Sequence, residues 1–277
     1  MYRVKTCFTW FTIVVILTKS RTQSLRKTGG SKFEGFIVGG RFAKIEDHPH
    51  SAYLSIQCLQ ETFEEFACGG SILNQVMLLT AAHCFADCRP GTRTTVAVGD
   101  ANKNRKQFFQ VTTFTIHPQY DGLLMKNDIA LAMLATPLVF NRAVKRVVLS
   151  KTGIYDKPAT QAGWGVTDEK RETEAIFLKT TRQKVYSRNQ CKTMLPQLAA
   201  GFICGTGYKD AKDYGYAAVG DSGSALVVLG YIQIGVVSHK ITDVSASLIV
   251  YTEVPYYYNW IATATRALFC RYSIKQS

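Results

Sequence analysis

Polar and apolar residues alternate along Ala52-Tyr53-Leu54-Ser55-Ile56-Gln57, the two-residue period of a half-buried strand. A longer β-rich, apolar stretch covers 69–82 and ends at Thr80-Ala81-Ala82-His83-Cys84. Short strand candidates recur at 94–98, 108–116, 129–134, 160–162, 177–185, 225–229, 231–238 and 248–254. Glycine- or proline-containing breaks separate them, with no internal repeat and no alternation of strand and helix. That pattern places the chain in the all-β class of barrels or sandwiches. The C-terminus is the exception. Tyr257, Trp260, Ile261, Ala264 and Leu268 share one helical face, and Pro255 suits the first turn of such a helix. The face reads as one packed on the body rather than laid on a membrane.

The N-terminus carries a different pattern. Met1 to Thr6 is short and basic, and an apolar stretch of eleven follows from Cys7 to Leu17. That is too short to span a bilayer and suits a secretory signal peptide over 1–20, with its end between Ser20 and Ser24. Residues 21–36 read as a flexible, basic propeptide, and 37–277 as the body. The chain has 277 residues, 47% of them hydrophobic, enough for one large all-β domain or two small ones. Residues 1–36 hold seven Lys/Arg and one acid, so six of the formal +13 charges lie there. The remaining excess is spread along the chain. It describes a basic solvated surface, and no nucleic-acid-reading motif accompanies it.

Outside the signal stand Cys58, Cys68, Cys84, Cys88, Cys191, Cys204 and Cys270. In a secreted chain these are expected mostly as disulfides. His83-Cys84 with Cys88 also resembles zinc-ligand spacing, but the oxidising compartment and the lack of a second close ligand pair weigh against it.

Candidate chemistry lies in three separated places. Gly220-Asp221-Ser222-Gly223 is a turn that exposes a hydroxyl between glycines. The amides of Gly220 and Ser222 are placed to converge on a developing oxyanion. His83 ends an apolar strand, and Asp128 stands at the mouth of another in Asn127-Asp128-Ile129-Ala130-Leu131. Each residue alone has an ordinary structural reading, as a strand-end ring, a cap or a polar turn. Together they follow the chain order His, Asp, Ser of a nucleophile–base–orienter triad.

At these residues the chain resembles the chymotrypsin-type serine peptidases. Ile37-Val38-Gly39-Gly40, Cys68-Gly69-Gly70-Ser71, Thr80-Ala81-Ala82-His83-Cys84, Asn127-Asp128-Ile129-Ala130-Leu131, Gly163-Trp164-Gly165 and Gly220-Asp221-Ser222-Gly223 carry the likeness, from Ile37 to about Leu268. The resemblance implies an all-β fold of two six-stranded antiparallel β-barrels, a cleft between them and a final helix. It implies His83 as base, Asp128 as orienter, Ser222 as nucleophile, and Ser238 bonded to Asp128. It further implies Ser238 to Lys240 as backbone for an extended substrate. Cleavage before Ile37 would free an amine that pairs with Asp221, as in a zymogen. Disulfides Cys68–Cys84 and Cys191–Cys204 are implied, and Cys58–Cys88 is the pairing expected of two further cysteines. Cys270 is left single, free or joined to another chain. The expected partners are protein or peptide substrates and protein inhibitors, around a secreted monomer. No cofactor or metal is expected: 100–110 contains Lys103, Arg105 and Lys106 and one acid, a poor calcium loop.

Several positions depart from the family's pattern. The residue before Ile37 is Phe36 rather than Arg or Lys. Ala218 stands where a cysteine beside the primary pocket is usual, and Ala159 and Val228 replace another pair. Tyr216 occupies the pocket floor, so no carboxylate awaits a basic side chain. His239 replaces a tryptophan, and Lys240 and Ile249 replace wall glycines. The expected preference is for small apolar residues, then aromatic ones, and not for Arg or Lys. Attraction of an acidic side chain by Lys240 is the minor reading of the pocket. The rival to an active endopeptidase is a silent homologue acting as a binding or regulatory protein.

Overall fold

The computed structural model describes residues 38–58, 64–86, 88, 92–105, 107–168, 173–209, 214–217 and 219–276. The signal, the propeptide, Ile37 and Ala218 lie outside these. Among the described residues, strands β1 (Ser51–Cys58), β2 (Glu64–Ile72), β3 (Met77–Thr80), β4 (Arg93–Val98), β5 (Gln107–Ile116) and β6 (Ala130–Leu134) close into a barrel in the order β1-β2-β3-β6-β5-β4. Strands β7 (Ala159–Gly163), β8 (Lys179–Tyr186), β9 (Phe202–Gly207), β10 (Ala225–Val228), β11 (Ile232–Lys240) and β12 (Ile249–Glu253) close a second ring in the order β7-β8-β9-β12-β11-β10. All of these pairings are antiparallel. The two rings share one pairing order, a repeat of architecture that the residues themselves do not display.

The alternation in β1 places Leu54 and Ile56 inside the first barrel at 0% exposure. β6 is buried along its whole length, and its residues all belong to the first barrel's core. The second barrel has a more polar interior. Gln183 Nε2 donates to Gly215 O at 3.0 Å, and Tyr251 OH donates to Gln161 Oε1 at 3.0 Å. These bonds lower the cost of burying polar groups there.

Two short elements escape the sequence pattern. Helix α1 (Arg188–Met194) opens on a capping box, in which the Ser187 side chain accepts from Gln190 N and the Gln190 side chain accepts from Ser187 N. β9 has two glycines and a cysteine in six residues, too little β-branched character to read as a strand. The stretch 69–82 divides into the end of β2 and β3, with a turn in which Asn74 Oδ1 accepts from Val76 N at 2.9 Å.

Helix α2 (Val254–Gln276) follows β12 directly. It lays Tyr257, Trp260, Ile261, Ala264 and Leu268 against the first barrel's core. It therefore starts on one barrel and buries its apolar face on the other. Among the described residues, no helix is long and apolar enough to cross a membrane.

Candidate active site

Each candidate residue sits where a strand ends. His83 lies in the turn after β3, Asp128 just before β6, and Ser222 in the turn before β10. Asp128 is fully buried and accepts three hydrogen bonds. His83 N donates to Oδ1 at 2.9 Å, His83 Nδ1 to Oδ2 at 2.8 Å, and Ser238 Oγ to Oδ2 at 2.5 Å. Its own carbonyl accepts from Thr252 Oγ1 of the second barrel at 2.6 Å. The neighbouring Asn127 has φ +54° and is held by Tyr257 OH of α2 at 2.9 Å.

A carboxylate can only accept, so the His83 proton lies on Nδ1 and Nε2 is left as the base. Burial pulls the His83 pKa down, but the charge and hydrogen bond of Asp128 prevail and hold it above the usual imidazole value. Burial pushes Asp128 up, and His83 with the Ser238 hydroxyl brings it below the usual carboxylate range. The pair thus favours the imidazolium form, which a base needs as it takes a proton.

The turn carrying Ser222 depends on two glycines. Gly220 has φ +90° and Gly223 φ +84°, a region that side chains rarely adopt. A Cβ on Gly223 would also stand 2.1 Å from Thr80 Oγ1 and 2.5 Å from Gly69 O. The turn is pinned across the barrels, because Gly69 N donates to Ser222 O at 2.7 Å. Ser222 and His83 line one cleft of about 930 Å³. Among the described residues no hydrogen bond joins Ser222 Oγ to the imidazole, a contact that often tightens only when substrate arrives.

Asp221 points away from the cleft. It is fully buried and accepts from Gly165 N at 3.0 Å. Its carboxylate packs so closely that a Cβ on Gly163 or Gly165 would collide with it. Burial pushes its pKa up to about 8, against the Gly165 amide and the Lys179 charge.

The five expected pocket residues divide into two groups. Ser238, His239 and Lys240 line the cleft. Tyr216 and Ile249 belong to the second barrel's core, with Ile249 at 0% exposure. Lys240 is itself buried, its Nζ 5.0 Å from the centre of the Tyr216 ring. The structure adds lining residues that the motifs did not mark: Phe66, Tyr120, Asp121, Leu123, Met125 and Val219. Asp121-Gly122 followed by two leucines was the available signal, a turn dipeptide beside exposed apolar residues; Leu123 is 94% exposed. His239 also borders an apolar groove of about 610 Å³ walled by Met194, Leu195, Leu198, Phe202, Ile241 and Val244.

Disulfides join Cys68 to Cys84, Cys58 to Cys88 and Cys191 to Cys204, and Cys270 is free and exposed. Cys68, His83 and Cys84 bring potential ligand atoms within 4.8 Å of one another. Both sulfurs are committed to the disulfide, so neither is a thiolate for zinc.

Comparison with known proteins adds an independent line. The Trypsin family model matches residues 37–261. Hypodermin-B of Hypoderma lineatum is 34% identical over 75% of this chain and 78% of its own. Trypsin of Sus scrofa is 30% identical over 81% of this chain and 94% of its own. Cathepsin G of Homo sapiens is 30% identical over 84% and 89%. Among solved structures, a scabies mite inactivated protease paralogue, S-D1, superposes with TM-score 0.72 at 23% identity, covering 83% of this chain and 97% of that one. HL collagenase does so with TM-score 0.72 at 24% identity, covering 83% and 98%. At those identities the two structures speak for the fold alone.

Proposed function

Because the chain belongs to the trypsin family of serine proteases, we propose that it is a secreted serine endopeptidase. The observation that carries this reading is Asp128, held by both His83 and Ser238 at the wall of the cleft that contains Ser222. Ser222 Oγ attacks the substrate carbonyl while His83 Nε2 takes its proton, and Asp128 stabilises the imidazolium. The amides of Gly220 and Ser222 receive the oxyanion. His83 then returns the proton to the leaving amine, and water releases the acyl group from Ser222 by the same steps in reverse.

The substrate runs extended along Ser238–Lys240. Its cleaved residue is small and apolar by preference, aromatic second, and not basic. The supporting observations are the buried Tyr216 and Ile249 and the Lys240 side chain over the Tyr216 ring. The groove beyond His239 suits an apolar side chain further toward the substrate's N-terminus. Residues 1–20 serve as signal and 21–36 as propeptide. Cleavage after Phe36 frees the Ile37 amine to pair with Asp221, whose burial makes an opposite charge strongly favourable. The matured protein acts as a monomer.

A fluorophosphonate probe tests the central claim. Stoichiometric labelling of the matured protein, lost in Ser222→Ala, is the expected result. Absence of labelling in the folded protein would overturn it and leave a binding protein on a protease fold.

A further inference from the structure

The buried carboxylate of the site is bonded through more than one intermediary. Ser238 Oγ lies 2.5 Å from Asp128 Oδ2 and 3.0 Å from His239 Nδ1. A hydroxyl has one proton, and an ionised carboxylate has none to give. The Ser238 proton therefore goes to Asp128, and Ser238 Oγ must accept from His239. His239 accordingly carries its proton on Nδ1, and its ring is braced edge-on against Phe202 with centroids 5.8 Å apart.

We propose that His239 is a positioning residue of the catalytic centre, the outer member of a hydrogen-bonded row His239–Ser238–Asp128–His83. Donation from His239 polarises the Ser238 hydroxyl, which then binds the carboxylate more strongly, since bonds in such a row reinforce one another. A carboxylate better satisfied from that side pulls less on His83. The ring thus sets how basic the catalytic imidazole is, without touching the reacting atoms. This reading rests on the proposed protease function, and it gives the position a task in addition to lining the cleft.

The row is suited to work across the pH range of catalysis. Burial holds the His239 pKa down to about 4, with Asp128 opposing and His83 assisting. His83 stands above the usual imidazole value, so His239 stays neutral while His83 titrates. Among the described residues, the other charged groups that line the two cavities His239 borders are Lys240 on its own strand, Asp121 at the cleft and Lys126 at the groove.

The test follows the His83 ring by proton NMR against pH in the folded protein. In His239→Phe, which keeps an aromatic ring and removes the donor, the His83 titration is expected to move upward by about half a pH unit. The acid limb of kcat/KM should move the same way. His239→Asn places an amide donor near the Nδ1 position and should restore the original titration. In a Ser238→Ala background, His239→Phe should add no further shift. An unmoved titration in His239→Phe, an Asn variant that behaves like Phe, or a shift that persists without Ser238 would each overturn the proposal. Because NMR needs no turnover, the row can fail while Ser222 still labels, and labelling can fail while the row stands.

Discussion

Lys240 Nζ lies 5.0 Å from the centre of the Tyr216 ring, and its strand partner across the sheet is Ile249. These three side chains occupy the space that the primary pocket of the proposed protease would need. In the proposed protease, Lys240→Gly should raise the rate of cleavage after Phe or Tyr relative to Ala by about tenfold or more. Adding Ile249→Ala should extend the gain, at a cost of about 2–5 kcal/mol in stability for truncating a buried side chain. Peptides differing only at the cleaved residue, with thermal melts alongside, measure both effects. Fast cleavage after Arg by the unaltered protein would contradict this account of the pocket.

Asp128→Asn should lower kcat by about 10⁴. The amide has a single acceptor oxygen, so it cannot serve the backbone N–H of His83 at one position and the His83 Nδ1–H with the Ser238 hydroxyl at the other. Steady-state kinetics on one good peptide suffice. A loss below tenfold would mean that His83 is oriented by something else.

In the proposed precursor, Asp221 should make stability fall as pH rises from about 4 to 8. Its folded pKa, about 8, lies above the ordinary 3.8. Its contribution is therefore intact below pH 4 and is lost as pH rises toward 8, because the folded state holds the proton that the unfolded chain gives up. An amine at Ile37 would stabilise the ionised form. The melting temperature of the Ser222→Ala precursor is expected to fall by several degrees between pH 5 and 8, and that of the cleaved Ser222→Ala chain to fall less. Identical slopes by calorimetry would refute the pairing.

His48 and His50 give the opposite dependence on the acid side. Burial holds them down to about 4 and about 3, with rings 6.2 Å apart. Unfolding lets both take protons from about pH 6.5 downward, so the stability they confer is full above that pH. It declines as pH falls toward 4 for His48 and 3 for His50, by roughly 3–5 kcal/mol each. His50→Gln should flatten the melting curve between pH 6.5 and 4.5, relative to the parent protein. Parallel curves would show that these rings do not govern acid stability.

Much of this architecture was legible because local period and burial coincide. Leu54 and Ile56 alternate in the sequence and lie inside the first barrel. The face from Tyr257 to Leu268 is apolar in the sequence and packed in the fold. The strand Phe202–Gly207 was not legible, since its place is set by pairing with β8 and β12 rather than by its own residues. The shared pairing order of the two barrels was hidden for a similar reason. Backbone hydrogen bonds define it, and they leave side chains free to differ. Around the cleft, the motifs marked His83, Gly220 and Ser222 and the resemblance marked Ser238, His239 and Lys240, while other lining residues escaped both. Phe66 lines it through tertiary placement alone. The pocket positions were legible as residue types but not as depths, and Tyr216 and Ile249 lie within the core.

The hydrogen bond from Gly69 N to Ser222 O spans the seam between the barrels. In the proposed protease, a nascent chain with one barrel complete therefore owns half a catalyst, and reactivity arrives only when the second half seats against the first. The same seam should yield first under denaturant. Turnover of the proposed protease is expected to vanish at a lower urea concentration than the β-sheet signal of either half, an early warning of unfolding built into the fold.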